Sequence, residues 1–96
     1  MATEQLFLTV DIERRGYGRR YSSLPVDTRD RDGFTIDCTN GYLQPAQYDI
    51  RVGDTVFWRD QGRLISATAT AITRDEHRIY VQVSDAQPLP PETFHF

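Results

Sequence analysis

The sequence predicts an all-β protein, a small antiparallel β-barrel or sandwich of five to seven short strands. Two observations predict it: apolar and polar residues alternate at period two along most of the chain, and the alternating runs are separated by turn pairs such as Asp32-Gly33 and Asn40-Gly41. A third excludes the competing class, because apolar residues nowhere recur at helical spacing for more than one turn.

The elements follow in order. In LFLTVDIE, Leu6, Leu8, Val10 and Ile12 share one face and Phe7, Thr9, Asp11 and Glu13 the other, as a half-buried strand requires. RRGYGRR then reads as a hairpin tip from Arg14 to Arg20, its two glycines permitting positive φ and Tyr17 carried outward. YSSLPVDT is an edge strand or a bulge, since Pro25 has no N–H to give a ladder. After the Asp32-Gly33 turn, Phe34, Ile36 and Cys38 alternate with Thr35, Asp37 and Thr39. GYLQPAQYDIRV is irregular, with room for one short helical turn before Ile50 and Val52.

From Gly53 to Val83 three more strands are expected. Val56 and Trp58 share a face in the first. Ile65, Ala67, Ala69 and Ala71 share one in the second, where small side chains suit the inside of a curved strand. Ile79, Val81 and Val83 share one in the third. The predicted core is Leu6, Leu8, Val10, Ile12, Phe34, Ile36, Val56, Trp58, Ile79, Val81 and Val83. The chain divides into one barrel domain, residues 1–85, and a Pro-rich tail, residues 86–96. In that tail Pro88, Pro90 and Pro91 favour an extended conformation, and Phe94 and Phe96 present apolar side chains that close the core or dock on a partner.

Ninety-six residues make one domain, which buries roughly 60–65% of its unfolded surface. The net charge of −3 gives no general attraction to nucleic acid or to an anionic membrane. All eleven basic residues are Arg. Cys38 is the single cysteine, so no internal disulfide and no Cys-type metal site are expected. The alternating, non-basic N-terminus is unlike a signal peptide or a membrane span, which points to a cytoplasmic protein or a component of a phage particle. No metal, cofactor or membrane partner is expected.

Catalytic motifs are absent. TRDRDG places Asp30, Asp32 and Gly33 at calcium-loop spacing, but Thr28 and Thr39 occupy the first and twelfth positions, and Arg29 and Arg31 oppose a cation. His77 and His95 have no Cys or His at ligand spacing. The expectation is therefore a non-enzyme.

The strongest candidate for function is RRGYGRRY. Residues 1–24 carry four Arg against Glu4, Asp11 and Glu13, whereas residues 25–60 carry four Arg against seven Asp, so positive charge is focused at one tip. Arg14, Arg15, Arg19 and Arg20 can pair with phosphate while Tyr17 stacks on a base. Paired instead with Asp11 and Glu13, they form a solvated hairpin.

GDTVFWRDQGRLISATATAI and IYVQV, within residues 53–83, resemble the SH3-like barrels of the KOW and Tudor type. That resemblance implies binding of proteins, RNA or modified peptides through loops and an aromatic groove, here offered by Trp58 and Tyr80, with Ala67 and Ala69 standing where a glycine is usual. A second resemblance, to PilZ domains that bind cyclic di-GMP, runs through Arg15 and Arg19 and through Asp37-Cys38-Thr39-Asn40-Gly41, a run one residue shorter than the family's motif.

The functional expectation is a non-enzymatic interaction or assembly module that binds a protein partner within a larger complex, of phage or bacterial kind. Its binding residues are sought among Arg14, Arg15, Tyr17, Arg19, Arg20 and Trp58, with Phe94 and Phe96 docking. The alternative is an anion binder for single-stranded nucleic acid or a cyclic dinucleotide through the Arg14 to Arg20 hairpin.

Overall fold

Alternation builds one curled antiparallel sheet. The structure, a computed structural model, describes residues 8–39 and 43–89. Its strands are β1 (Leu8–Arg14), β2 (Gly18–Val26), β3 (Thr28–Asp30), β4 (Gly33–Asp37), β5 (Thr55–Asp60), β6 (Arg63–Arg74) and β7 (Arg78–Pro88), with one 3-10 turn at Pro45–Gln47. The spatial order is β2-β1-β5-β6-β7-β4-β3. β2 and β3, at opposite ends of that order, are separated in the chain by Asp27 alone. One segment thus supplies both edges, and the sheet must curl into a half-barrel for it to reach β1 and β4 together. The Asp27 amide donates to the Thr35 carbonyl at 2.8 Å, carrying the ladder across the kink.

The expected core forms inside the curl. Val10, Ile12, Phe34, Ile36, Val56, Trp58, Ile79, Val81 and Val83 are all buried, joined by Leu24, Val26, Ile50, Ile65, Ala67 and Ala69. Leu8 packs against this cluster half-buried, while Leu6 lies outside the described residues. Burying a Val, Leu, Ile or Phe side chain contributes about 1.5–3 kcal/mol, so this cluster is the main source of stability. β7 runs on to Pro88, past residue 85, and the Leu89 amide donates to the Leu64 carbonyl at 2.8 Å. The strand therefore takes in the start of the stretch expected as tail.

Extra residues in the ladders break the simple alternation. Ala69 pairs with Val83 but Ala71 with Gln82, so Thr70 is a bulge on β6, and its hydroxyl donates to the Gln82 carbonyl at 3.2 Å. Beyond it the faces exchange. Ala71, expected inward, is exposed, and Ile72 packs against the core in its place. β2 carries two such irregularities opposite β1, at Arg20 and at Ser22-Ser23, which is why Tyr21 and Leu24 both turn inward although three residues apart.

Segment 43–50 lies against the sheet, its main chain held by guanidinium groups. Arg74 donates to three carbonyls, those of Pro45 (3.1 Å), Tyr48 (3.0 Å) and Ile50 (3.2 Å). Arg29 bridges the carbonyls of Thr9 (2.8 Å) and Arg59 (3.0 Å), beyond Asp11 and Phe57 where the paired register of β1 and β5 ends. A forked, five-donor group can satisfy several carbonyls at once where a lysine ammonium is a point charge. The all-Arg composition thus has a structural use.

Candidate interaction surface

The site begins with two turns brought to one end of the sheet. Glu13 pairs with Thr55 at the last rung between β1 and β5, so the chain leaves β1 for the turn 15–17 beside the turn 51–53 that enters β5. Between them Arg14 and Asp54 meet. Nε and Nη2 of Arg14 donate to Oδ1 and Oδ2 of Asp54, both at 3.0 Å. Nη1 donates to Asp49 Oδ2 at 2.9 Å and Nη2 also to the Asp49 carbonyl at 3.0 Å. The Arg14 side chain is 12% exposed and that of Asp54 3%. Asp54 accepts in addition from the Arg51 amide at 2.9 Å, which closes its own turn.

Asp49 collects three guanidinium groups, from Arg14, Arg20 and Arg51. Hydrogen bonds from Arg14, then from Arg20, hold its carboxyl well below the usual carboxylate range. Bonds to Asp54 and then Asp49 raise Arg14 further above its already high value. The Asp49 amide donates to the Tyr21 hydroxyl at 2.8 Å, and the Tyr21 and Tyr48 rings lie 6.3 Å apart, tying the network to the core.

The expected basic cluster is therefore largely compensated. Arg19 pairs with Glu13 at 2.8 Å and Asp11 at 3.3 Å, Arg20 with Asp49, and Arg14 is sealed between two aspartates. The solvated-hairpin reading anticipated Arg19's partners. Asp49 and Asp54 carried no local signal, because they are 35 and 40 residues from Arg14 in sequence. Arg15 alone of the four, among the described residues, makes no side-chain hydrogen bond or ion pair, and it is exposed at the turn.

Tyr17 stands at the tip 78% exposed, between Gly16 (φ 84°) and Gly18 (φ 89°). Both glycines occupy the left-handed region that a side chain rarely adopts, so the tight reversal depends on them. Val52, in the neighbouring turn, is 63% exposed. The tip thus carries an exposed aromatic ring and the unpaired Arg15, and the turn before β5 an exposed aliphatic side chain.

Other expected site residues lie elsewhere. Trp58, expected both in the core and among the binding residues, is in the core, 6% exposed. Tyr80 is exposed on the outer face of β7 whereas Trp58 points into the core from β5, so the two lie on opposite faces of the sheet and do not share a groove. Phe94 and Phe96 lie outside the described residues. Among the described residues, no group of three His, Cys, Asp or Glu could hold a metal ion, and no helix is long and apolar enough to cross a membrane. Cys38 is partly buried, and that burial pushes its thiol up from the ordinary value, with Asp37 and Asp27 adding to the effect.

Fold and surface together define a small all-β protein with a riveted hairpin tip. No family model, curated protein or solved structure matches this chain.

Proposed function

We propose that the chain is a non-enzymatic interaction module that docks a protein partner within a larger bacterial or phage assembly, and that the hairpin tip makes the contact. The observation that carries this reading is Tyr17, 78% exposed on a turn whose base is fixed by the Arg14 to Asp54 pair. A tyrosine offers large apolar area and a hydroxyl at little cost in side-chain entropy, and tyrosine and arginine dominate interface hot spots. A rigid base lowers the ordering cost of binding. Arg15, free of an internal carboxylate, favours a partner whose apolar pocket carries an acidic rim. The sequence pattern of residues 53–83 that resembles SH3-like barrels would imply a binding role for the loops. Capture of nucleic acid or a cyclic dinucleotide is the weaker reading, because Arg14, Arg19 and Arg20 already have carboxylate partners.

A photoreactive phenylalanine analogue placed at Tyr17, irradiated in a lysate of the native host, tests the proposal. One discrete protein adduct is expected, lost in competition with unlabelled protein and retained by unlabelled Tyr17→Ala competitor. Equal adducts from the same analogue at Thr73, on the exposed far part of β6, would overturn it. Salt-sensitive binding of a single-stranded oligonucleotide that disappears in Arg15→Ala would instead favour the anion reading.

A further inference from the structure

A groove lies on the outer face of the sheet, running from Thr55 at the base of the tip to an irregularity in the pairing of β6 with β7. Ser66 pairs with Gln87 and Thr68 with Ser84, so Asp85 and Ala86 together oppose Ala67. Asp85 has φ 58°, the left-handed conformation that glycine usually takes at the first position of such a bulge. The bulge opens a groove of about 300 Å³ lined by Thr55, Ser66, Thr68, Asp85 and Gln87 beside the main chain of Ala67 and Ala86.

The chemistry of the groove is selective. Three hydroxyls, one carboxylate and one amide converge there, and among the described residues none of these five side chains has a hydrogen bond or ion pair to the protein. Hydroxyls and the amide both donate and accept, while the carboxylate only accepts. An anion would meet the Asp85 charge, with no guanidinium lining the groove to offset it. Among the described residues no group of three His, Cys, Asp or Glu gathers there to hold a metal ion, Asp85 being the one carboxylate that lines the groove. A neutral ligand bearing adjacent hydroxyls matches the set, because each diol can give two hydrogens to Asp85 and exchange bonds with Gln87 and the hydroxyls. Phe57 faces the same side, pairing with Ser66 at half-buried exposure, and offers an apolar surface for the C–H face of a sugar ring. The volume is at the lower end of the range for small-molecule sites, about 300–1,000 Å³, which fits a single sugar ring.

We infer that the β6–β7 bulge is a binding site for a neutral saccharide unit, with Asp85 and Gln87 as its principal contacts. The backbone supports this assignment. Glycine would fit the left-handed position without strain, so an aspartate there places a carboxylate in the groove where its own side chain secures no internal bond. The groove shares no contact residue with the tip's Arg15 and Tyr17, so each reading can fail without the other.

The test is a two-dimensional amide NMR titration of the full chain with glucose, galactose, mannose and N-acetylglucosamine. Saturable shifts confined to Thr55, Ser66 to Thr68 and Ala86 to Gln87 are expected for at least one sugar, with Kd near about 1 mM for so open a site. Asp85→Gly keeps the bulge geometry and should weaken that binding at least tenfold with an unchanged or higher thermal midpoint. Asp85→Asn, which also tolerates the left-handed region, should weaken it less. No saturable shift with any of the four sugars up to about 100 mM, about a hundred times that Kd, would overturn the assignment. So would shifts that persist in Asp85→Gly, or a response to calcium ion alone.

Discussion

The guanidinium of Arg14 and the carboxylate of Asp54 face each other as two parallel hydrogen bonds of 3.0 Å, across forty positions of sequence and nearly out of solvent. The pair joins the end of β1 to the turn before β5, and the tip presenting Tyr17 projects from that joint. Removing one partner of a buried pair strands the other without its hydration. Asp54→Asn should therefore lower the thermal midpoint clearly and speed amide exchange at Arg51, whose N–H bonds to the carboxylate. Glu13→Gln, which loosens the exposed pair with Arg19, should change stability by only about 0.5 kcal/mol. Equal shifts in the two variants would show that the Arg14 pair does not rivet the tip.

Gly33 is buried where β4 leaves the Asp30 to Gly33 turn, paired with Gln82 of β7. A Cβ at this position would sit 2.1 Å from the Val81 carbonyl oxygen, a main-chain atom that cannot move aside without opening the ladder. Gly33→Ala should cost about 3 kcal/mol in urea unfolding. Gly16→Ala meets no atom within 4 Å and carries only the cost of its positive φ, about 1 kcal/mol. A Gly33→Ala midpoint at or above that of Gly16→Ala would contradict this packing.

Arg74 holds segment 43–50 through three carbonyls. Arg74→Lys preserves the charge but not the fork, and at about 1 kcal/mol for each hydrogen bond lost, a drop of about 2 kcal/mol in unfolding free energy is expected. Hydrogen exchange at Tyr48 and Ile50 should rise together in that variant. Unchanged exchange there would mean the segment is held by its apolar packing alone.

Acid should weaken the fold in a defined window. The Asp49 carboxyl, bonded by Arg14 and Arg20, Asp37, bonded by the Thr39 hydroxyl and amide, and Asp75, bonded by the His77 and Arg78 amides, all titrate below their ordinary value. A group whose folded pKa is depressed contributes its stability above the unfolded pKa, about 3.9 for aspartate, and loses it as pH falls toward the folded value. The urea midpoint should hold from pH 7 to about 5 and fall steadily below pH 4. Asp49→Asn should start lower at pH 7 and show a shallower acid limb. An identical slope in the variant would remove Asp49 from the account.

The amino-acid sequence by itself determined the class of fold and most of the core, because inward and outward faces of a strand follow directly from period two. Val10, Ile12, Phe34, Ile36, Val56, Ile79 and Val81 are buried for that reason, and the two glycines around Tyr17 marked the exposed tip. Tertiary structure alone decided where that period slips. A bulge is a property of two strands together, so only the pairing of β6 with β7 could put Ala71 outside, Ile72 inside and Asp85 over a groove. It also decided the fate of the arginines. A guanidinium bonds to whatever carboxylate or carbonyl the fold brings within reach, and for Arg14 those groups come from residues 35 and 40 positions away.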